Sequence, residues 1–198
     1  MKKLVLTALL CAAVAQVAVA TTFQFNLQGT AGAGLLPGNE PGSITGGTGG
    51  EIGAGIFFDD STSKLTINVG WGSSQGFTDL SSLANNSHIH GPTTLPNGNG
   101  FTQTAGVLVN LTRSANAVTG GVFTDAPILL TAAQRTDLFN GKYYINIHTA
   151  NNGGGELRGF VVPAIVSPPS PPTVEVVFVS VADLITLKST GTNGNGWS

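Results

Sequence analysis

The chain contains three imidazoles, His88, His90 and His148, and their spacing suggests chemistry before any fold is considered. His88-Ile89-His90 sets two of them two residues apart. On a β-strand successive side chains point to opposite faces, so this pair shares one face about 6.6–6.8 Å apart along the chain while Ile89 turns to the other. The stretch from Lys142 to His148 repeats the pattern. Ile145 and Ile147 take its apolar face, and Tyr144, Asn146 and His148 take the polar one. By the same parity Leu157 points inward, and Glu156 and Arg158 point outward. The expectation is one polar surface carrying His88, His90, His148, Asn146, Glu156 and Arg158, provided that the two segments pair.

Three kinds of chemistry fit such a surface. A structural role would have the imidazoles and the Glu156/Arg158 pair satisfy strand-edge and loop groups that need partners in any fold. A metal role would use the three histidines as ligands for copper or zinc, with a further position left open. An H-x-H pair on a β-sandwich also serves Cu/Zn superoxide dismutases, but their remaining ligands and cysteines are missing here. Acid–base catalysis by a histidine with Glu156 is the third, and no nucleophile elbow, second carboxylate beside the cluster or phosphate loop accompanies it. Asp59-Asp60 and Asp79 lack the alternating acidic loop that calcium requires and read as turns. Asn85-Asn86-Ser87 and Asn110-Leu111-Thr112 are glycosylation sequons. Trp71 falls on an apolar face and reads as core rather than as a sugar platform.

The elements that must position these residues are short strands. Phe23, Phe25 and Leu27 alternate with Gln24 and Asn26. Ala54 to Phe58 and Lys64 to Trp71 flank a turn at Asp59 to Ser63, with Leu65, Ile67, Val69 and Trp71 on one face. Further strands are expected at Ser87 to His90, Thr104 to Leu111, Ala117 to Phe123, Lys142 to His148 and Glu156 to Val162. In the second of these, Val107, Val109 and Leu111 are aligned. Ala31 to Gly50 and Gly91 to Gly100 read as loops, and Asp79 to Leu83 could form one helical turn. Thr131 to Phe139 is a helix: Thr131 suits its N-cap and Asn140-Gly141 its stop. The last two strands close as a hairpin over Asn151 to Gly155, where replacing Asn152 is expected to be nearly neutral. About eight strands without a βαβ rhythm define an all-β fold, an antiparallel β-sandwich or barrel with one short helix before the closing hairpin.

Composition narrows the class. Charged residues are 9% of the chain and hydrophobic residues 41%, so it has the means to bury a core and lacks the basic patch that nucleic acid would select. Beyond residue 20 there are six basic against ten acidic side chains. Glycine, at 28 of 198 residues, signals many turns. Lys2 and Lys3, the apolar run Leu4 to Val17 and Ala18-Val19-Ala20 compose a signal peptide with cleavage expected after Ala20, giving a secreted or periplasmic chain. Cys11 is the sole cysteine and falls inside that segment, so no disulfide is expected in the mature protein. The domain is then expected over residues 21–166, a proline-rich linker over 167–173 and a tail over 174–198 that is too short and too charged to span a membrane.

Two segments resemble a known family. Ser87-His88-Ile89-His90-Gly91-Pro92 with Asn97-Gly98, and Tyr143 to Thr149 with Gly155-Glu156-Leu157-Arg158-Gly159, are similar to the paired motifs of the CHRD (chordin-type) domain. The helix running into Asn140-Gly141-Lys142-Tyr143 matches as well, and the resemblance extends from about Phe23 to Val162. The hairpin tip departs from the family pattern, having Asn and Gly where a proline is usual. The resemblance implies a β-rich domain of exported proteins without a defined enzymatic activity. It points to a binding or structural module for an extracellular or periplasmic protein or matrix component, with a copper- or zinc-binding protein as the alternative.

Overall fold

The computed structural model describes residues 21–42 and 44–164. The expected signal peptide, linker and tail lie outside the described residues. Among the described residues, nine strands form one curled antiparallel sheet. They are β1 (Thr22–Gln28), β2 (Gly49–Asp59), β3 (Lys64–Trp71), β4 (Ala84–His90), β5 (Val107–Asn110), β6 (Gly121–Val122), β7 (Ile128–Leu129), β8 (Tyr143–Thr149) and β9 (Leu157–Pro163). Their order is β5-β4-β8-β9-β1-β2-β3-β6, with β7 also paired to β3. The β8–β9 hairpin therefore joins the histidine-bearing strand β4 to β1, β2 and β3.

Alternation builds the core. Phe25 and Leu27 of β1, Ile56 and Phe58 of β2, and Leu65, Ile67, Val69 and Trp71 of β3 are buried on the concave face. Ile89, Ile145, Ile147, Leu157 and Val161 continue the same layer across β4, β8 and β9. One end is closed by the helix α2 (Ala132–Phe139). Its capping box is complete: the Thr131 hydroxyl accepts from Gln134 N, and the Gln134 side chain accepts from Thr131 N. Phe139 at its end packs edge-on against Phe23, Phe25 and Phe58, a geometry that aligns ring edges with ring faces.

Several elements differ from the sequence reading. β2 begins at Gly49, inside the stretch expected to be loop, because a bulge between Glu51 and Ile56 lets a glycine-rich segment keep pairing with β3. Such irregularity hides the period-two signal. β4 starts three residues early, at Ala84. The strand expected over Thr104 to Leu111 shrinks to β5 at the sheet edge, where Val107 is 51% exposed while Leu111 is buried. Ala117 to Phe123 contributes only the two residues of β6, and β7 was not anticipated. No helical turn forms at Asp79 to Leu83. Asp79 instead accepts from Ser73 N and stabilises a 3-10 turn at Ser73–Gln75. The Gly91 to Gly100 region holds a cis Gly91-Pro92 bond and runs into a short turn, α1 (Gly98–Phe101), whose four residues all have positive φ. Asp59 caps Ser61 in the expected turn and Trp71 is fully buried, as expected of core, while Asp60 pairs with Arg135 at 2.6 Å.

Candidate functional site

β4 and β8 pair directly, which brings the two histidine segments together. The register sets His90 opposite Tyr144, His88 opposite Asn146, and Asn86 opposite His148. His148 is thus diagonal to His88 on the same face, close enough for side chains to touch. The His88 and His90 rings stand 5.2 Å apart, and His88 and His148 4.9 Å apart. His90 lies flat on Tyr144, with ring centroids 4.8 Å apart.

The hydrogen bonds decide which nitrogens are offered. His90 Nδ1 is 2.9 Å from Ala105 O, and His148 Nδ1 is 2.9 Å from Gly153 O. A carbonyl only accepts, so both Nδ1 atoms carry the proton and both Nε2 atoms carry the lone pair. His90 Nε2 is buried and has no partner. His148 Nε2 lies 3.1 Å from His88 Nδ1, so in the metal-free protein His88 donates to it. One ligand atom from each histidine lies within 4.8 Å of the other two. Ligands spread tetrahedrally around one ion at 2.0–2.1 Å stand about 3.3 Å apart. The His88–His148 pair, at 3.1 Å, already has that spacing. Burial, with the neighbouring His148, His90 and Arg113, holds His88 down at about 4. Burial lowers His90 as well. Both rings are neutral near pH 7, the form that binds metal.

The remaining expected residues divide. Asn146 and Arg158 are on the histidine face of the sheet, but that face is no open surface. Leu36 forms a β-bridge with Arg158, and Asn39 Nδ2 donates to Arg158 O at 3.0 Å. The segment around Asn39 and Glu40 is thereby laid over β9, and α1 covers Phe160 from the other side. Asn146 is 3% exposed and Arg158 1%. The Arg158 guanidinium sits 3.9 Å from the Tyr144 ring centroid and 4.8 Å from that of Phe160, and its Nη2 donates to Gln103 O. The expected surface is a recess.

Glu156 does not join the histidines. Parity fails because β9 begins one residue later, at Leu157, after a turn that ends on Gly155 at φ +133°. The Glu156 carboxylate is fully buried and accepts from Gly47 N, Ser81 N, Ser81 Oγ, Thr149 Oγ and Asn152 Nδ2. Burial pushes its pKa up, and the hydrogen bonds from Ser81, Gly47 and Thr149 outweigh that and hold it below the usual carboxylate range. Asn152 also donates to Ser81 Oγ, so it anchors the hairpin tip instead of decorating it.

Sequence reasoning missed Glu40. It is 8% exposed and accepts from Asn146 Nδ2. Gly155 packs so closely on both that a Cβ there would collide with them, besides being strained at positive φ. Burial pushes Glu40 up to about 7, while Arg158 pulls it down. The one available signal was a lone carboxylate between Pro37-Gly38 and Pro41-Gly42 in a chain with few charges. The sign of its effect on stability follows. Between the unfolded value of 4.5 and about 7 the folded chain holds more protons at this site, so its contribution is full below pH 4.5 and lost as pH rises through 7. The local slope approaches 1.4 kcal/mol per pH unit at most. Glu40→Gln should remove this slope, read as the difference in urea midpoint between pH 5 and pH 7.5; an unchanged pH profile would show that Glu40 is ordinary.

These features define an all-β domain that gathers three histidines over a recessed polar layer on its closing hairpin. The sequence profile of the CHRD domain matches residues 16–161, and the chain belongs to that family. No curated protein and no solved structure matches it significantly. Family membership supports a binding or structural module in the coarse sense. No helix among the described residues is long and apolar enough to cross a membrane.

Proposed function

We propose that this protein is an exported, non-enzymatic CHRD module that binds copper or zinc through His88, His90 and His148. One observation carries the metal reading. Two of the three rings have Nδ1 tied to a backbone carbonyl, which leaves the lone pair on both Nε2 atoms, and that of His148 is aimed at the third ring. Metal-binding histidines are commonly oriented by such an outer partner. Three imidazoles suit zinc or copper and leave a position for another ligand. Among the described residues, nothing in the recess supplies a nucleophile paired to a base, which supports a binding role over catalysis. Export rests on the charge, apolar run and small-residue site of residues 1–20. An extracellular or periplasmic protein or matrix component remains the natural partner of such a module, reached through the loops around the recess.

The test uses the exported protein purified without a tag. Its intact mass should begin at Thr21, and it should take up one equivalent of Cu(II) or Zn(II) in competition with a chelator. His88→Ala/His90→Ala should lose at least a hundredfold in affinity, and Glu51→Gln, distant from the triad in the sheet, should lose none. Equal metal uptake by the double variant would overturn the site. Retention of residues 1–20 would overturn export.

A further inference from the structure

The outer face of β1 carries three amides in a row. Gln24, Asn26 and Gln28 alternate with the buried Phe25 and Leu27, so they stand on one side of the strand about 6.6–6.8 Å apart. Elsewhere Asn39, Asn68 and Asn152 spend their amides on hydrogen bonds that hold loops and turns in place. The side chains of Gln24, Asn26 and Gln28 make no such bond among the described residues, and Gln24 and Asn26 are exposed.

These amides border a break in the sheet. The pairing of β1 with β2 ends at Phe25 and Ile56. Beyond that point β2 sets Ile52 to Gly55 against Asn68 alone, and the bulge leaves an open groove of about 410 Å³ between itself and β1. Both walls are fixed. Asn68 Nδ2 donates to Gly55 O at 2.8 Å, and Leu27 N donates to Glu51 Oε1 in place of a strand partner. Gly53 and Gly55, at φ +54° and +70°, give the bulge a left-handed backbone and put no side chain into the groove.

The lining of the groove defines its ligand. It contains no lysine or arginine, so an anion gains no partner there. Its large apolar members, Phe25 and Leu27, are buried in the core, so a greasy ligand gains little. Glu51 is half-buried, uses one oxygen on Leu27 N, and belongs to neither ion pair among the described residues, Arg135–Asp60 or Lys142–Asp137. Its other oxygen can only accept, whereas each amide both donates and accepts. An amine would use Glu51 and leave the amide N–H groups idle; a hydroxyl donates and accepts with the same atom. We propose that this groove binds a neutral polysaccharide chain, whose hydroxyls donate to Glu51 and pair with the amides of Gln24, Asn26 and Gln28. From Gln24 to Gln28 the strand runs about 13 Å, long enough for several weak contacts to add along one chain of sugar rings. The groove shares no residue with the histidine site, so the proposal goes beyond the metal reading without resting on it.

Binding of the full metal-stripped chain to immobilised polysaccharides decides it, with dextran, starch, xylan and galactomannan as neutral probes and heparin and alginate as acidic ones. At least one neutral probe should bind saturably and equally well at low and high salt, because no charge on the ligand is involved. Gln24→Ala/Asn26→Ala changes two exposed side chains, so it should keep the wild-type unfolding midpoint and bind that probe at least tenfold more weakly. Ala54→Arg, which extends a long side chain from the opposite wall, should weaken it to a similar degree. His88→Ala/His90→Ala should bind as the wild type does. Absence of saturable binding to every neutral probe overturns the proposal. So does tighter binding to heparin or alginate, or wild-type binding by both groove variants. Failure of metal uptake leaves these outcomes untouched, and failure here leaves the metal titration untouched.

Discussion

Glu156→Gln should lower stability by about 2–4 kcal/mol, a large effect for a change of one atom. The carboxylate offers only acceptors to five donors on three separate segments: Gly47, Ser81, and the Thr149 and Asn152 pair. An amide turns one acceptor into a donor, facing either the Gly47 and Ser81 N–H groups or the Ser81, Thr149 and Asn152 side chains. Hydrogen bonds to a charged group contribute about 1.5–3 kcal/mol, and leaving a buried donor unpaired costs more than the bond alone. The pH dependence has the opposite sign to that of Glu40. With its folded value below the unfolded one, Glu156 contributes fully above the ordinary carboxylate range and loses that contribution as pH falls through its depressed value. Chemical denaturation of Glu156→Gln at pH 7 and at pH 3 measures both. A difference from wild type that is no smaller at pH 3 would contradict the charged-network account.

Ile147→Ala and Leu157→Ala should each destabilise by about 2–5 kcal/mol, as large-to-small changes in packed cores do. Both side chains are fully buried, and they face each other across the β8–β9 register. Because they touch, the double variant should cost less than the sum of the two. Asn152→Ala, which sequence alone marked as nearly neutral, should instead cost about 1 kcal/mol through its bonds to Glu156 and Ser81. Equal midpoints for the three single variants would show the face assignment to be wrong.

What sequence could and could not convey follows from the range of each signal. Alternation is local, so it placed Ile89, Ile145, Ile147 and Leu157 inward and put His88, His90 and His148 on the opposite face. The helix was legible because Thr131, Gln134 and the Asn140-Gly141 stop are all within one short window. Parity misled at Glu156, where it was carried one residue past the start of the strand. The covering segments were illegible for a different reason. Asn39 reaches Arg158 across more than half the chain, and Glu40 reaches Asn146 similarly. A Pro-, Gly- and Asn-rich loop has no period to betray which strand it lies on. A face that alternation marks as polar therefore reads as solvent-exposed until the loops above it are known.

The order of strands in the sheet has a bearing on when the molecule can become itself. Among the described residues β1 is the first strand made, but its neighbour β9 is the last, and β9 with β8 is what connects β1, β2 and β3 to β4 and β5. Until the β8–β9 hairpin is available, a growing chain has two unconnected fragments of sheet. His88 and His90 then wait without His148, and the stretch holding Glu40 has no β9 to lie on. Pairings this distant in sequence make closure slow relative to local folding. A sheet whose keystone hairpin comes from its C-terminal end closes late, and the histidines and the residues of the recess assemble only then.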